Sequence, residues 1–447
     1  MGTASDISRA VAAGPQPGAV FQALPATVGD HAEIEQFLSV VLQRPTPREF
    51  QAQLDDPYYE PTDRLIVKDH GQIVGHLRQT WRTMTFRDVH WSLGRFNDLG
   101  VLPEYRGKGV AEVLLAAAER EMQRQGTVMI ECDVPVADAP QAAYWIAAGR
   151  RVASQASPRD ILAQLEVRQD SARSGQVLVE LGKRPLMSVC HWRHVELTAL
   201  MRIYRANLAS AYGQLERSEP YWRWLIGRGA FDQIFVAIEG CDRLSLDEEG
   251  CRIVGYAVVR DRQVLELMIE PDHPTAATLL LARACADAIE RDWHTLRVHA
   301  PADSLLHEIV REAGGSFCRY KTARDQANLV HLSDPGVVVC QLGNQLAARA
   351  QSSGAELPLE LGVSIDGVKE LLVVSDQGVQ RLEGKLGRSY VTMTPATWVR
   401  LLLGYDDGRS AVNAERIRSS TTLAAQMVAA LFPPIPMWRP PWDAAPV

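Results

Sequence analysis

Residues 99–111 read Leu-Gly-Val-Leu-Pro-Glu-Tyr-Arg-Gly-Lys-Gly-Val-Ala, an apolar strand end followed by a basic, glycine-rich turn and the start of a helix. Gly107 and Gly109 let the backbone approach an anion with no Cβ in the way. Arg106 and Lys108 add two positive charges, and the first N–H groups of the following helix point at the same place. The stretch is typical of a turn that holds a pyrophosphate.

Two common phosphate-binding signatures do not fit this turn. A P-loop needs Gly-Lys followed by Ser or Thr, and here Lys108 is followed by glycine. A dinucleotide fingerprint needs a third glycine where Glu112 stands. What remains is Arg106-x-x-Gly-x-Ala111, preceded by Val-x-Pro at 101–103. The alternative interpretation is an ordinary strand, turn and helix whose basic turn is solvated.

That string resembles the coenzyme A signature of the GCN5-related N-acetyltransferases, the GNAT family. The resemblance implies an α/β (α+β) fold with a mixed central sheet, and acetyl-CoA as the cosubstrate. In the family, the strand end runs along the pantetheine arm and the amides of the turn bind the pyrophosphate. The resemblance predicts that the cosubstrate is bound by Leu99, Gly100, Val101, Arg106, Gly107, Lys108, Gly109, Val110, Ala111 and Glu112.

The length and charge of the chain limit the number of domains and the kinds of partner. At 447 residues with 46% hydrophobic residues, the chain is long enough for about three domains. A formal net charge of -7 argues against nucleic acid as a partner, because phosphate neutralisation needs a basic surface. A cationic substrate, such as an amine, suits this charge better.

The cysteines and the apolar stretches indicate the cellular compartment of the protein. The 7 cysteines are scattered and form no Cys-x-x-Cys pair, so neither a disulfide framework nor a metal site is indicated. We interpret them as reduced thiols and expect a cytoplasmic protein. No apolar stretch reaches the roughly 18 residues that span a bilayer, so we expect no membrane partner.

The first part of the chain has the element order of the GNAT fold. Residues 1–16 are rich in Ala, Gly and Ser and are predicted to be a mobile tail. Residues 17–186 are predicted to form the GNAT acetyltransferase domain. After the signature helix, a strand is expected at 128–133 and a further helix over 137–148.

The next part of the chain echoes the first. Ile-Val-Gly at 253–255 repeats Ile-Val-Gly at 73–75, and residues 265–271 resemble residues 97–103. The basic turn is not repeated: opposite Arg106, Gly109 and Ala111 stand Pro274, Ala277 and Leu279. Residues 187–326 are therefore predicted to be a degenerate GNAT domain that has lost the cosubstrate. The alternative is a chance similarity between α/β segments.

Residues 327–447 differ from both copies in their predicted pattern of strands and helices. Short strands are predicted at 359–365, 371–374 and 379–382, separated by Asp-Gly and Gln-Gly turns. Helices are predicted to start at Thr394-Pro395 and to run from Thr421 to Leu431. The pattern resembles a sterol-carrier-like α+β domain, here followed by a Pro/Trp-rich tail.

The order of the three parts is itself a signature. Tandem GNAT folds, the second degenerate, followed by a sterol-carrier-like domain form the layout of the Eis-like acetyltransferases. The resemblance implies transfer of an acetyl group to a primary amine of a small molecule, such as an aminoglycoside, or of a lysine side chain. It also implies a homo-oligomer, although the sequence itself shows no interface.

Attack on a thioester needs a neutral amine, and a carboxylate or a water chain usually takes the amine's proton. Asp98, at the end of the signature strand, is the candidate base, and Glu131, Asp133 and His90 are further candidates. Glu266 occupies the matching position in the second copy. That match supports the alternative, in which Asp98 is a polar strand residue that faces solvent or makes a structural hydrogen bond.

The acid that protonates the leaving thiolate is less well marked. Many family members place a tyrosine four residues before the glycine that ends the helix after this strand. Counted from Gly149, that position holds Trp145, and Tyr144 lies one residue earlier. Tyr144 is therefore the candidate acid, with water as the alternative. Because the acid is not fixed, an acyl-CoA-binding sensor without catalysis is the alternative to acetyl transfer.

Two aromatic-rich stretches have no assigned chemistry. The tail at 437–447 contains Trp438 and Trp442, and we hypothesise that it folds back to line the substrate site. The alternative is packing onto its own domain. The stretch 217–224 combines Arg, Tyr and Trp residues that could stack on a sugar or base, and we expect it in an interface or core.

Overall fold

The structure is a computed structural model that describes residues 21–135, 145–146, 151–174, 187–240, 252–320, 322–323 and 326–444. The chain divides into two compact units. Unit 1 comprises Met1–Met84, Val89–Gly149 and Lys321–Met437. Unit 2 comprises Thr85–Asp88, Arg150–Tyr320 and Trp438–Val447.

The strands, in chain order, are β1 Ala23–Pro25, β2 Arg64–Asp69, β3 Gln72–Phe86, β4 Val89–Val101, β5 Met129–Pro135, β6 Trp145–Ile146, β7 Arg151–Ala156, β8 Met187–His191, β9 Tyr212–Leu215, β10 Gln233–Glu239, β11 Arg252–Arg260, β12 Gln263–Ile269, β13 Leu296–His299, β14 Ser316–Tyr320, β15 Thr322–Ala323, β16 Gln326–Leu332, β17 Leu359–Ile365, β18 Val368–Ser375, β19 Gly378–Glu383, β20 Tyr390–Met393 and β21 Arg418–Ser419.

The α-helices are α1 His31–Val41, α2 Pro47–Leu54, α3 Val110–Arg124, α4 Pro158–Ser174, α5 Leu197–Leu208, α6 Glu219–Gly227, α7 Pro274–Glu290, α8 Leu305–Glu312, α9 Pro335–Gln341, α10 Gly343–Ser352, α11 Pro395–Leu402, α12 Gly408–Asn413 and α13 Thr422–Leu431. None of the helices in the described residues has the length and the apolar run needed to cross a bilayer.

Unit 1 contains a mixed sheet in the order β1-β2-β3-β4-β5-β16-β15, and β6 pairs with β16. Strands β4 and β5 are parallel, whereas β2–β3 and β5–β16 are antiparallel. Helix α3 lies on one face, where Val110, Leu114 and Ala118 recur at helical spacing and are buried in one cluster with Leu77 of β3. Each buried Val or Leu side chain contributes roughly 1.5–3 kcal/mol.

Unit 2 repeats this arrangement with the sheet β14-β7-β13-β12-β11-β10-β8, in which β12 and β13 are parallel. The hairpins of the two units carry a bulge at the same place. Val67 pairs with Gly75 and Ala237 pairs with Gly255, and in each case the register shifts at the next residue. The repeat predicted from the two Ile-Val-Gly triplets is confirmed.

One further pair of hydrogen bonds fixes the alignment of the two copies. The carbonyl of Val74 accepts from the N–H of Leu102 at 3.0 Å, and the carbonyl of Val254 accepts from the N–H of Glu270 at 2.8 Å. These bonds support the match between residues 97–103 and 265–271. The chain therefore contains two copies of one fold, each built on a mixed sheet.

The sheets do not divide at the predicted boundaries of 186/187 and 326/327. Strand β7 falls in the part predicted as the first domain, yet it pairs with β13 and β14 in the second sheet. Strand β16, most of which was predicted in the third domain, pairs with β5 in the first sheet. The units divide instead after Gly149 and after Tyr320. Strand partners far apart in sequence leave no local signal, which explains the difference.

The helix predicted over 137–148 is wrong at its end. Trp145 and Ile146 form β6, which pairs with Val330 and Leu329 of β16. A β-branched and an aromatic residue favour strand pairing over a last helical turn. The earlier residues of that predicted helix, with Tyr144, lie outside the described residues, as do the three residues after β6 up to Gly149.

A separate five-stranded sheet in unit 1 has the order β19-β18-β17-β20-β21. Strands β17 to β19 form the predicted meander, and Asp366 and Gly367 have φ values of 46° and 86°, as a two-residue hairpin turn requires. Thr394 caps helix α11 by accepting from the N–H of Thr397 at 3.3 Å. Helix α13 follows the capping residue Thr421, as predicted.

The C-terminal segment, residues 438–444, belongs to unit 2. Trp438 and Trp442 are buried in one cluster with Tyr221 and Trp222. The N–H of Trp438 donates to the carbonyl of Tyr212 at 2.9 Å. The alternative prediction, in which the tail packs onto the predicted third domain (residues 327–447), is therefore wrong for residues 438–444. The expectation that the 217–224 stretch lies in a core is confirmed for its two buried aromatics.

Candidate active site at the end of strand β4

The site begins where strands β4 and β5 separate. Their parallel pairing runs from Leu93 with Met129 to Phe96 with Cys132. Beyond that point β5 stays paired with β16 on its other side, while β4 continues to Val101. The backbone of the last β4 residues therefore faces an opening between the strand ends. Sequence patterns predicted both strands but not this opening.

The turn after β4 has the backbone geometry that its glycines permit. Gly107 and Gly109 have φ values of 70° and 90°, a region that other residues avoid. Gly109 is the N-cap of helix α3, so the first N–H groups of the helix have no acceptor within it. Lys108 is exposed and its Nζ lies 5.0 Å from the centre of the Tyr105 ring. The turn thus combines the first N–H groups of a helix with an exposed cation, the arrangement that suits an anion.

Helix α3 approaches the sheet closely because β3 carries a glycine opposite its first turn. A Cβ on Gly75 would lie 2.4 Å from Cγ1 of Val110. Any larger residue would push the start of the helix away from the strand end. Sequence analysis missed this role, although Gly75 and its counterpart Gly255 stood in the repeated triplet.

The three predicted residues on β4 can offer only backbone atoms to a ligand. Leu99 is 8% and Val101 is 1% exposed, and both side chains are packed with helix α3. Gly100 faces the other side of the sheet, where a Cβ would lie 3.2 Å from Val41 and 3.3 Å from Phe37 of α1. The peptide groups remain as the binding surface.

Asp98, the candidate base, is held in an ion pair. Nε of Arg78 donates to its Oδ2 at 2.9 Å. Burial alone would raise the pKa of Asp98, but the charge and the hydrogen bond of Arg78 hold it below its ordinary value. A carboxylate with a lowered pKa is a poor proton acceptor. This geometry favours the structural alternative for Asp98.

The other candidate bases differ in their positions. Glu131 is fully buried in β5, and Asp133 is paired with Arg95 and accepts from Nδ2 of Asn328 at 2.8 Å. His90 is exposed near the opposite end of β4, about 11 residues or roughly 36 Å of extended chain from the strand end. The structure therefore does not bring His90 to the site.

Three residues that sequence analysis did not single out lie behind Asp98. His76 and Arg78 of β3 contact Asp98, and Arg64 of β2 contacts His76. They come from two strands and carry no motif, so no local pattern could have identified them.

The corresponding place in unit 2 is already occupied by its own side chains. Helix α7 begins at Pro274, which has no N–H, and its N-cap is His273. Nε2 of His273 lies 3.1 Å from Glu239, and Nδ1 lies 3.6 Å from Glu270. Glu270 is in turn paired with two arginines, Arg202 and Arg252.

The structure corrects the sequence alignment of the second copy with the basic turn of the first. Pro274, Ala277 and Leu279, matched in sequence to the turn and helix start of the first copy, all lie inside helix α7. The connection from strand to helix covers 270–273 in the second copy and 102–109 in the first. The basic turn is therefore absent from the second copy rather than substituted residue by residue.

Comparisons with known proteins agree with this architecture. Residues 24–132 match the family model of the acetyltransferase (GNAT) domain. None of the curated proteins matches the sequence. Two solved structures of GCN5-related N-acetyltransferases are similar in fold: that of Anabaena variabilis ATCC 29413 has a TM-score of 0.65 at 13% identity over 94% of this chain and 99% of its own. That of Kribbella flavida has a TM-score of 0.64 at 13% identity over 94% and 97%.

A third solved structure is similar in fold over nearly the whole chain. Eis1 from Mycobacterium abscessus has a TM-score of 0.59 at 12% identity, over 93% of this chain and 97% of its own. Residues 24–132 are thus a GNAT acetyltransferase domain, and the chain is an acyltransferase with the tandem fold of the Eis-like proteins.

Proposed function

We propose that the protein is an acetyl-CoA-dependent N-acetyltransferase that acetylates a primary amine of a small molecule or of a lysine side chain. GNAT domains use an acyl-CoA donor and amine acceptors, and the specific donor and acceptor are our proposal. The observation that carries it is the basic turn at 106–109, placed at the start of helix α3 and beside the opening between β4 and β5.

In the proposed reaction the pyrophosphate lies against the turn and the thioester lies at the strand opening. The amine lone pair attacks the carbonyl carbon and forms the C–N bond, and charge develops on the carbonyl oxygen. Backbone N–H groups near Val101 stabilise that charge. The C–S bond then breaks, the thiolate gains a proton and the nitrogen loses one. Tyr144 remains our proposal for the acid.

We infer that only the first copy binds the donor, so that residues 17–149 with strand β16 carry the working site. The support is the missing turn in the second copy, Pro274 in place of an N–H donor, and the ion pairs around His273. A cytosolic location is also a proposal, supported by five cysteines among the described residues that form no disulfide.

The test measures donor binding and amine-dependent release of free thiol separately. Arg106→Glu is expected to abolish acetyl-CoA binding, because it sets a negative charge against the pyrophosphate. Arg120→Glu makes the same charge change at an exposed position farther along helix α3 and is expected to bind normally. Normal binding by Arg106→Glu would overturn the assignment of the site. Binding without thiol release over a panel of amines would favour an acyl-CoA sensor instead.

A further inference from the structure

Strand β4 contains a strained residue directly before the proposed thioester site. Asp98 has a φ of 51°, which lies in the left-handed region that a residue with a side chain rarely adopts. Such a conformation costs on the order of 1–3 kcal/mol and persists only where the surroundings enforce it. The strand nevertheless continues through Leu99 to Val101.

Two side chains from β3 enforce this conformation. Nδ1 of His76 lies 2.9 Å from the carbonyl oxygen of Asp98, and Nε of Arg78 lies 2.9 Å from its carboxylate. One residue thus has both its peptide oxygen and its side chain fixed by neighbours on the adjacent strand. His76 is fully buried, and the Arg78 and Asp98 side chains are only 14% and 13% exposed.

Arg64 determines which nitrogen of His76 carries the proton. Its Nη1 lies 3.3 Å from Nε2 of His76, and because an arginine can only donate, Nε2 must be the unprotonated acceptor. Nδ1–H is then the donor to the Asp98 carbonyl. Burial, followed by the charge of Arg64, lowers the pKa of His76 to about 3, so the ring stays neutral and keeps this tautomer.

Arg64 is buried, and no carboxylate in the described part of the chain lies within ion-pair distance of it. Its other donors reach Oε1 of Gln53 at 2.7 Å and the hydroxyl of Tyr59 at 3.2 Å, and its guanidinium lies 4.6 Å from the centre of the Phe50 ring. Burying a guanidinium among neutral groups is costly, and an apolar residue would normally fill such a position. The cost is consistent with a role beyond packing.

We propose that Arg64, His76 and Arg78 are positioning residues for acyl transfer. They fix the Asp98 peptide, and through it the direction in which the peptide groups of residues 99–101 face the opening between β4 and β5. This inference rests on the proposed function, because it assigns these peptide groups to the thioester.

The second copy provides an internal comparison. Its bulged hairpin aligns residue by residue with the first, so the positions of Arg64, His76, Arg78 and Asp98 hold Ile234, Tyr256, Val258 and Glu266. Strand β12, which is described throughout, contains no residue with positive φ. The three positioning residues and the strained peptide are thus absent from the copy that also lacks the basic turn.

The experiment compares two arginines on the same strand. Arg78→Met removes the ion pair with Asp98. Arg82→Met, four positions farther along the strand, removes a similarly covered ion pair with Asp56. Because misplacing a reacting group by about 1 Å reduces rates by up to about 100-fold, we expect kcat of Arg78→Met to fall 10- to 100-fold. The Kd for acetyl-CoA should stay within about threefold, since the basic turn is intact. Arg82→Met should keep kcat within about twofold.

A conservative pair at His76 keeps the proposal falsifiable if one variant fails to fold. His76→Asn retains an amide that can donate near the Nδ1 position and should keep more activity than His76→Leu, which cannot donate. Equal kcat values for Arg78→Met and Arg82→Met, with equal activity of the two His76 variants, would overturn the positioning role. A wild-type chain without amine-dependent thiol release would instead overturn the proposed function itself.

Discussion

Replacing Asp443 with asparagine is expected to loosen the C-terminal segment from unit 2. The side chain of Arg217 is 0% exposed, and its Nε and Nη2 donate to the Asp443 carboxylate at 3.0 and 2.9 Å. The same guanidinium donates to the Glu266 carboxylate at 2.9 and 2.7 Å. Asp443 is therefore the charged anchor of a segment that also buries Trp438 and Trp442.

The size of the effect follows from what remains after the change. Removing one partner of a buried ion pair costs about 3–5 kcal/mol where the other charge is left uncompensated. Here Glu266 still compensates Arg217, and asparagine keeps one acceptor oxygen. The repulsion between the two carboxylates also disappears; the pKa of Glu266 is raised first by burial and then also by Asp443. We therefore expect a loss of about 2 kcal/mol, equivalent to a roughly 30-fold larger open fraction of the segment.

The assay is cleavage of the native protein by chymotrypsin, read by mass spectrometry. The bond after Trp438 is protected while this residue is 2% exposed, and its cleavage rate reports opening of the segment. Glu219→Gln is the matched control, because it removes one carboxylate from an exposed pair with Arg223 on the surface of the same unit. Glu266→Gln combined with Asp443→Asn leaves Arg217 without either carboxylate, so its effect should exceed the sum of the single effects by at least about 1 kcal/mol.

Cleavage of Asp443→Asn at the rate of Glu219→Gln would refute the anchoring role. Strict additivity in the double variant would refute the shared triad, since it would mean that each carboxylate binds Arg217 independently of the other.

Two further predictions concern unit 1. Burial raises the pKa of Asp63 to about 6, above an ordinary value near 3.9, so its ionisation opposes folding as pH rises from about 4 to 6. Asp63→Asn should therefore raise the melting temperature at pH 8 but not at pH 4. At pH 8 the expected gain in the free energy of unfolding is up to about 3 kcal/mol. A gain at both pH values would contradict this cause. Gly75→Ala should weaken acetyl-CoA binding at least about tenfold, because its Cβ meets Val110 at 2.4 Å and displaces helix α3. Gly29→Ala, whose nearest contact would be 3.6 Å away, is the control, and equal affinities of the two variants in calorimetry would show that the close approach does not matter.

The parts of the site that sequence predicted are those in which neighbours in sequence make the structure. The left-handed conformations at Gly107 and Gly109 and the helix after them follow from local residue types. The second fold was predictable for a related reason, since a repeated triplet at 73–75 and 253–255 carries the same bulge. The sequence showed that Gly75 is repeated as Gly255, but it did not show the close packing on Val110 that explains this glycine.

The parts that sequence did not predict depend on partners distant along the chain. Strand β7 pairs with β13, and β16 pairs with β5, about 140 and 200 residues apart respectively. The anchoring of Asp443 by Arg217 spans 226 residues. No periodicity or spacing encodes such pairings, because what selects them is the burial and charge of groups that meet only in the folded chain.

The two copies also explain why a carboxylate is present at the same strand position in both. In the first copy Asp98 pairs with Arg78 from the neighbouring strand, and its peptide is turned into the left-handed region. In the second copy Glu266 has Val258 at that neighbouring position, and its partner is Arg217, which also holds the C-terminal segment. A carboxylate kept for proton transfer would need an open path to the acceptor, whereas both of these are engaged by arginines. The shared position is therefore better explained by its capacity to fix backbone near the end of a strand: the strand itself in the first copy, and the C-terminal segment in the second.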